Sequence, residues 1–191
     1  MGQPQKKLIS HDEYFAMEEA AEYKSEYYHG EIFAMSGASH NHNMIAGNIF
    51  AALHSTLRDS DCVVYISDMK VQIDEARHYT YPDVSIVCGD IGFAAGRNDT
   101  ITNPAVIIEI LSESTKDYDR GGKLAAYRKI ASLLEYILID QYSCHVEYFF
   151  KNEAGIWESE EYKDMNDSLK IRSADAELAL SEVYYRVKRD A

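Results

Sequence analysis

Two features common in secreted and membrane proteins are missing from the 191-residue sequence, a long apolar run and a cluster of cysteines. Residues 1–7 are polar and lack the apolar stretch of a signal peptide, and no later run is long enough to span a bilayer. The three cysteines, Cys62, Cys88 and Cys144, lie far apart, and two of them stand in apolar runs. This pattern favours buried thiols in a reducing compartment over disulfides or a zinc site. We therefore expect a soluble, cytoplasmic protein.

Positive charge is also scarce. The chain has 19 Lys and Arg against 32 Asp and Glu, which gives a net charge of −13. Such a balance disfavours a protein whose whole surface attracts nucleic acid, because that affinity comes largely from neutralising phosphates. It leaves open a nuclease with a locally basic contact surface. Five basic residues lie within 14 positions, namely Lys116, Arg120, Lys123, Arg128 and Lys129.

The composition and the order of apolar segments predict one domain over residues 1–191 with an α/β (α+β) fold. Hydrophobic residues make up 46% and charged residues 27% of the chain, which is typical of globular proteins. Ser10 and Glu13 form a capping-box pattern before a helix through about Glu19, and Ser39 precedes a longer helix with apolar residues near 3.6-residue spacing. The other predicted elements are a hairpin over 25–36, strands over 62–66, 69–73, 81–88, 105–111, 135–140, 144–150, 156–162 and 169–171, helices over 119–130 and 176–185, and loops over 74–80 and 89–104. This order implies a mixed central sheet flanked by helices.

Two acidic residues on separate apolar segments are candidates for a metal site. Asp83 follows Pro82 at the start of a strand, a position that a strand-initiating turn also explains. Glu109 lies inside Val-Ile-Ile-Glu-Ile-Leu, and a carboxylate buried there requires a metal, a cation or a proton. A structural salt bridge is the alternative for Glu109. If the fold brings both carboxylates together, they could coordinate Mg²⁺, or Mn²⁺ in its place, because Mg²⁺ prefers oxygen ligands.

A lysine follows Glu109 in the sequence and could belong to the same site. Lys123 falls about one turn into the next predicted helix, where it could orient an attacking water and offset charge in a phosphoryl transition state. A solvated basic helix face is the alternative. Gly121-Gly122-Lys123 is not a phosphate loop, because the glycine spacing is wrong and Leu124 replaces the required Ser or Thr.

Taken together, these motifs resemble a large group of restriction-endonuclease-like proteins in the PD-(D/E)xK nuclease superfamily. The resemblance rests on Tyr81-Pro82-Asp83, Glu109 in Val-Ile-Ile-Glu-Ile-Leu-Ser-Glu-Ser-Thr, Asp119 with Lys123, Glu135-Tyr136 before Asp140, Glu26-Tyr27-Tyr28-His29-Gly30-Glu31, and His42-Asn43-Met44-Ile45. It covers roughly residues 10 to 185. It implies a mixed sheet with flanking helices, Mg²⁺-dependent hydrolysis of DNA phosphodiester bonds, and a homodimer.

One position departs from the superfamily pattern. The residue two positions after the glutamate is lysine in the pattern, and here it is Leu111. The resemblance implies that the lysine has moved to the following helix, where Lys123 is the matching position. A moved lysine keeps catalysis, whereas a lost one would leave a non-catalytic module that binds nucleic acid or protein. A third alternative is a structural protein with ion-paired acids.

The resemblance and the neighbourhood of the main candidates add four supporting residues, Glu26, His42, Asp119 and Arg120. The catalytic set is then Asp83, Glu109 and Lys123, with Asp83 and Glu109 as metal ligands. The 15 tyrosines could in addition supply base-stacking surfaces, although tyrosines scattered through strands are more often half-buried packing residues.

Overall fold

A computed structural model describes residues 8–35, 37–74 and 77–188. The polar start at residues 1–7 and the last residue of the predicted hairpin, Ser36, lie outside the described residues. None of the helices in the described ranges has the length and apolar character needed to cross a membrane.

The structure has five short to medium α-helices and thirteen strands within these ranges. The helices are α1 (His11–Ala20), α2 (His40–Thr56), α3 (Lys116–Tyr118), α4 (Leu124–Tyr127) and α5 (Leu180–Val183). A π-helical turn (Asp119–Lys123) joins α3 to α4, and a 3-10 turn (Arg172–Ala174) follows β12. The strands are β1 (Ser25–Tyr28), β2 (Glu31–Ala34), β3 (Cys62–Ile66), β4 (Lys70–Asp74), β5 (His78–Thr80), β6 (Val84–Cys88), β7 (Thr100–Ile101), β8 (Val106–Leu111), β9 (Glu135–Asp140), β10 (Val146–Lys151), β11 (Trp157–Tyr162), β12 (Ser168–Ile171) and β13 (Ala176–Ala179).

Two larger sheets organise the fold. One has the strand order β2-β1-β5-β4-β7, the other has the order β11-β10-β9-β8-β6-β3, and β12 pairs with β13. The pairs β4–β7 and β8–β9 are parallel, and the other pairs are antiparallel. The predicted mixed sheet with flanking helices is confirmed, as are the capping box of α1 and the cap of α2 by Ser39.

The central strand β8 is buried on both faces, and this decides where its one charged residue points. Successive side chains of a strand alternate between the two faces. Ile108 and Ile110 pack in the apolar cluster that includes α2. Ile107 and Leu111 pack in the cluster that includes α4. Glu109 has the same parity as Ile107 and Leu111, so its side chain lies on the α4 face.

Two segments predicted as loops contain strands. Residues 78–80 of the predicted loop 74–80 form β5, which pairs with β1 and β4 and has three buried residues. The segment was predicted as a loop because it is polar. Its central position between two partner strands buries its residues whatever their side-chain type. Residues 75 and 76 of that loop lie outside the described residues. The loop 89–104 contains β7, which extends the same sheet in parallel to β4.

One predicted helix was wrong in part, and a second is present with a π turn inside it. Residues 176–185 begin as β13, whose Leu178 pairs with Leu169 of β12, and only four residues form α5. Cross-strand burial of Ala176 and Leu178 outweighs the helix preference of the segment's Ala, Glu and Leu residues. Residues 119–127 of the predicted helix 119–130 continue the helical segment that begins at Lys116, with a π turn over Asp119–Lys123 that contains Gly121 and Gly122. Glycine has a low preference for the α-helix, and π turns are frequent at functional sites.

The prediction of buried thiols was also wrong. Cys62 of β3 and Cys88 of β6 are direct partners in the antiparallel register, and they form a disulfide across 26 positions of sequence. Both residues and Cys144 are half-buried rather than buried. The pairing of β3 with β6 creates this contact, and spacing in the sequence alone gives no sign of it. The cysteines therefore no longer argue for a reducing compartment.

Candidate active site

The buried carboxylate of Glu109 is held by two residues of one helical segment. The residue is 4% exposed. Its Oε1 atom lies 3.0 Å from Nζ of Lys123 and accepts a hydrogen bond of 2.9 Å from the hydroxyl of Tyr127. Lys123 ends the π turn and Tyr127 ends α4, so the two lie about one helical turn apart on the face that covers β8. The burial of this carboxylate is therefore compensated by an ammonium and a phenol.

Lys123 contacts two more carboxylates besides Glu109. Its Nζ atom lies 3.2 Å from Oε1 of Glu26 and 3.8 Å from Oδ1 of Asp119. Glu26 comes from β1, and the backbone N–H of Tyr81 donates to its Oε1 atom. Asp119 opens the π turn, four residues before Lys123. The hairpin β1–β2, the strand β8 and the π turn thus supply three carboxylates to one buried ammonium.

Asp83 reaches the same place through the register of β6 with β8. Val84 of β6 pairs with Ile108 of β8 in antiparallel fashion, so the preceding residue, Asp83, comes beside Glu109. The Oδ2 atom of Asp83 accepts a hydrogen bond of 2.7 Å from the backbone N–H of Ile110. That contact fixes the carboxylate immediately before the start of β6, next to the buried glutamate.

His42 lies on the other side of Asp83. Its Nε2 atom is 3.2 Å from Oδ2 of Asp83, and both side chains are largely buried. The residue sits in the first turn of α2, where the hydroxyl of Ser39 accepts a hydrogen bond from its backbone N–H. Ser39 in turn donates to the side chain of Gln141, which donates to the carbonyl of Leu111. The start of α2 is thereby tied to the ends of β8 and β9.

The electrostatics of the cluster follow from burial and from like charges. Burial, together with the neighbouring carboxylates of Asp83, Asp119 and Glu26, raises the pKa of Glu109 well above its usual range, against the opposing effect of Lys123. Burial also raises the pKa of Asp119. Burial alone would lower the pKa of Lys123, but its carboxylate neighbours raise it, so the ammonium stays charged.

The pKa of the His42 imidazole is raised in the same manner. Burial by itself would lower this pKa, but the hydrogen bond and the charge of Asp83 outweigh burial and raise it. The imidazolium form is therefore favoured by its contact with Asp83.

Six of the seven residues singled out from the sequence come together in this cluster, and Arg120 does not. The structure brings together Glu26, His42, Asp83, Glu109, Asp119 and Lys123. Arg120 instead donates from Nε to Glu147 of β10, at 2.7 Å. Its side chain is directed toward the outer strands of the six-stranded sheet.

The basic segment of the sequence is not an open basic surface. Lys116 pairs with Glu113 at 2.7 Å, and Arg120 is engaged by Glu147. The guanidinium of Arg128 lies 5.1 Å from the ring centroid of Trp157. Acidic and aromatic partners therefore occupy most of the positive charge that the sequence places near the site.

Two contributors to the site had no role assigned from the sequence. The hydroxyl of Tyr127 contacts the hydroxyl of Thr80 at 2.9 Å as well as Glu109, and both residues are fully buried. The position of Tyr127 four residues after Lys123 was the available signal for a shared face. Thr80 gave no signal, because it falls in a segment predicted as a loop.

The donor set fits a divalent cation held by few protein ligands. Within the described part of the chain, no group of three or more His, Cys, Asp or Glu side chains is placed to hold a metal ion. Mg²⁺ is usually bound through one or two carboxylates and keeps several waters, and Asp83 and Glu109 offer two. The cluster contains four carboxylates against one ammonium and one imidazole, so two negative charges remain when every group is ionised. A divalent cation would balance that surplus.

Comparisons with known proteins agree with this fold. A family model described as "Uma2: Putative restriction endonuclease" matches residues 11–181. Two uncharacterised proteins of Synechocystis sp. are similar in sequence. The protein slr1290 is 35% identical over 178 residues, which cover 92% of this chain and 91% of that protein. The protein sll1609 is 38% identical over 145 residues, which cover 76% and 82%.

A solved structure has the same fold. It is described as a "putative nuclease belonging to DUF820" from Anabaena variabilis, and it superposes with a TM-score of 0.74 at 19% identity. The match covers 92% of this chain and 97% of the other. At that identity the likeness concerns the arrangement of helices and strands.

Proposed function

Because the chain belongs to the Uma2 family of restriction-endonuclease-like proteins, we propose that it is a Mg²⁺-dependent endonuclease that hydrolyses phosphodiester bonds of DNA. One observation carries the proposal: Lys123 contacts Glu109 at 3.0 Å in a buried cluster that also contains Asp83. Two acids could hold the metal ion and a lysine could stabilise the negative charge that develops, which are roles that metal-assisted hydrolysis uses. Mn²⁺ is the alternative ion, since it accepts the same oxygen ligands.

The proposed roles follow from the contacts of each side chain. Asp83 and Glu109 would hold the cation. When bound, the cation would act as a Lewis acid that stabilises charge on the phosphate and on the leaving oxygen. His42 and the N–H of Ile110 both contact Oδ2 of Asp83 and so orient its carboxylate. Tyr127 orients Glu109 in the same way.

Lys123 would act on the phosphate and the attacking water. An ammonium has three N–H donors, and the contact of Lys123 with Asp119, at 3.8 Å, is its longest. Lys123 could therefore replace its contact with Asp119 by one with a phosphate oxygen or a water. Its contacts with Glu109 and Glu26 would stay in place. The ammonium would then position the water and offset negative charge that develops in the transition state.

A non-catalytic module that binds nucleic acid or protein is the second candidate. The observation that favours it is the same ammonium, because three carboxylates already engage Lys123 in a self-contained ion-pair network. The two candidates differ in the role of the two surplus negative charges of the cluster. In an enzyme these charges bind a divalent cation. In a binding module the cluster has no catalytic role and only has to be compatible with a stable core.

Nicking of supercoiled plasmid in Mg²⁺ or Mn²⁺ separates these candidates. We expect the wild-type protein to relax the plasmid and Glu109→Gln to be inactive. The matched control is Glu147→Gln, which alters a partly buried, ion-paired glutamate outside the cluster and should retain activity. A wild-type protein that binds DNA but never nicks it would favour the binding module. Equal activity of wild type and Glu109→Gln would refute the assigned site.

The partner and assembly proposals concern DNA and a second copy of the chain. With a net charge of −13, we propose contact with DNA that is local, weak and strongly dependent on salt. We also propose a homodimer. Sedimentation of the purified protein tests the dimer, and a single species with the mass of one chain, 21.7 kDa, would overturn it.

A further inference from the structure

An exposed aromatic ring lies immediately beside the buried cluster. Tyr118 is the last residue of α3, and its side chain is 43% exposed. The next residue, Asp119, and the end of the π turn, Lys123, are both buried in the cluster. Tyr118 is therefore the exposed neighbour of two residues that belong to the proposed site.

The ring of Tyr118 packs against Gly122. A methyl group added at Gly122 would lie 3.0 Å from Cε2 and 3.1 Å from Cδ2 of Tyr118, closer than carbon atoms normally approach. The two residues are four apart in the helical segment, so they lie one above the other. Gly122 thus leaves the space that the ring occupies. This gives a physical role to the Gly121-Gly122 pair, which is not a phosphate loop.

The hydroxyl of Tyr118 is within electrostatic reach of the cluster. Burial and the carboxylates of Glu26, Asp119 and Glu109 raise the pKa of its phenol to about 12, with Lys123 acting in the opposite direction. The phenol is therefore neutral at physiological pH, and the carboxylates that raise its pKa are the same ones that surround Lys123. The residue thus lies beside the site while part of its surface remains open to solvent.

We propose that Tyr118 is a stacking subsite for a nucleobase of the DNA strand that the cluster cleaves. The inference rests on the proposed function and adds how the strand is oriented at the site. The cations nearby contribute little free charge, because Glu113 engages Lys116 and Glu147 engages Arg120. Stacking on an aromatic ring needs no positive charge and accepts every base, since each base has a π face.

The strength expected of such a contact sets the size of the effect. Removal of a stacking aromatic ring weakens binding of a single strand by about fivefold to a hundredfold. Tyr118→Ala should fall in this range. Tyr118→Phe keeps the ring and should bind as the wild type does.

Gly122→Ala provides a second route to the same loss. The helical backbone at Gly122 has no left-handed φ, so alanine is compatible with it, but its methyl group displaces the ring of Tyr118. We expect reduced DNA binding with a melting temperature no lower than that of the wild type. The double variant Tyr118→Ala/Gly122→Ala should bind no more weakly than Tyr118→Ala alone, because the methyl group acts only through the ring.

The experiment measures binding of a labelled single-stranded oligonucleotide by fluorescence anisotropy at low salt, with Ca²⁺ in place of Mg²⁺. A second oligonucleotide carries abasic positions throughout. The wild-type protein should prefer the oligonucleotide with bases, and Tyr118→Ala should remove the preference by weakening only that complex. Tyr185→Ala, which removes another exposed tyrosine, is the matched control and should leave both affinities unchanged.

The binding measurement can overturn the subsite in two ways. In one, Tyr118→Ala binds both oligonucleotides as the wild type does. In the other, it weakens both complexes equally, as a general structural defect would. Because binding is measured without hydrolysis, a protein that stacks bases through Tyr118 but nicks no plasmid would overturn the proposed endonuclease activity and leave the subsite standing. A protein that nicks plasmid without any dependence on Tyr118 would do the reverse.

Discussion

The ammonium of Lys123 lies 3.0 Å from Oε1 of Glu109, although Lys123 comes from the helical segment after β8 and not from the strand itself. Residues two apart on a strand share a face, so a side chain at position 111 lies on the same side as Glu109. Leu111 fills that position within the apolar cluster beneath α4. The positive charge beside Glu109 therefore comes from the helical segment, because the strand has no lysine at that position.

A variant in which Lys123 and Leu111 are exchanged tests whether the two positions are equivalent. Lys123→Leu should lower plasmid nicking by roughly a hundredfold or more, because it removes the cation beside Glu109. The double variant Lys123→Leu/Leu111→Lys returns a lysine to the strand and should recover roughly tenfold of that loss. Initial nicking rates provide the measurement. A double variant no more active than Lys123→Leu would contradict the spatial equivalence of the two positions.

The hydroxyl of Tyr127 should matter for hydrolysis as well as for stability. Tyr127→Phe removes the hydrogen bond to Glu109 and the contact with Thr80. We expect the free energy of unfolding, measured in urea, to fall by about 1 kcal/mol. Nicking should fall about tenfold, because Glu109 loses one of the two groups that orient it. Thr80→Val combined with Tyr127→Phe should cost less than the sum of the two single changes, since they share one contact.

A tyrosine elsewhere in the fold provides the control for Tyr127. Tyr148 is also fully buried, and its hydroxyl donates to Glu135, which lies outside the cluster. Tyr148→Phe should lose a similar free energy of unfolding and retain full nicking activity. Loss of activity in proportion to stability in both variants would show that Tyr127 has no particular role in the site.

Much of the fold could be predicted from the sequence, and the reason is visible in its strands. Apolar runs such as that of β8 lie where both sheet faces are buried, so their composition reports their position. β5 was missed because its burial results from neighbours that are distant in sequence. The disulfide was missed for the same reason, since only the register of β3 with β6 brings Cys62 opposite Cys88.

The candidate site shows the same division. Glu109 could be singled out because a carboxylate in an apolar run is unusual by itself, whereas Glu26 and Asp119 were added through the resemblance and their neighbourhood. The contact of Lys123 with Glu26 could not, because it joins the hairpin to a segment almost a hundred positions later. The partner of Arg120 was equally hidden, as it is set by how the helical segment crosses β10.

Acid should destabilise the protein in a window set by His78. Burial is the largest cause that lowers the pKa of this imidazole to about 4, and the positive charges of His29, Lys123 and Lys129 lower it further. In the unfolded chain it titrates near its usual value of about 6.5. Between these values the unfolded state binds a proton that the folded state does not, so stability present above pH 6.5 is lost as the pH falls toward 4.

The expected loss from His78 is about 3 kcal/mol across that window. Urea unfolding of the wild type and of His78→Gln at several pH values measures it, because the variant has no imidazole to titrate. The difference in unfolding free energy between the two proteins should change by that amount between pH 7 and pH 4. A difference that stays constant with pH would contradict the buried, neutral state of His78.

The disulfide should stabilise the protein independently of the site. Cys62 and Cys88 close a loop of 26 positions, and a bridge over a loop of this size contributes about 3 kcal/mol by restricting the unfolded chain. Dithiothreitol should therefore lower the melting temperature of the wild type. The double variant Cys62→Ser/Cys88→Ser should melt at that lower temperature with or without the reductant. A wild type that is insensitive to dithiothreitol would show that the two thiols are not bonded.

The central claim is that the carboxylates of Asp83 and Glu109 form a site for a divalent cation. Calorimetric titration of Mg²⁺ and of Mn²⁺ into the wild type and into Asp83→Asn tests it most directly. Asparagine keeps the shape of the side chain and removes its charge, and Asp68→Asn, which changes an exposed aspartate paired with Lys24, serves as the control. We expect saturable binding to the wild type and to Asp68→Asn, and none to Asp83→Asn. Equal binding by all three proteins, or no binding by any of them, would contradict the claim.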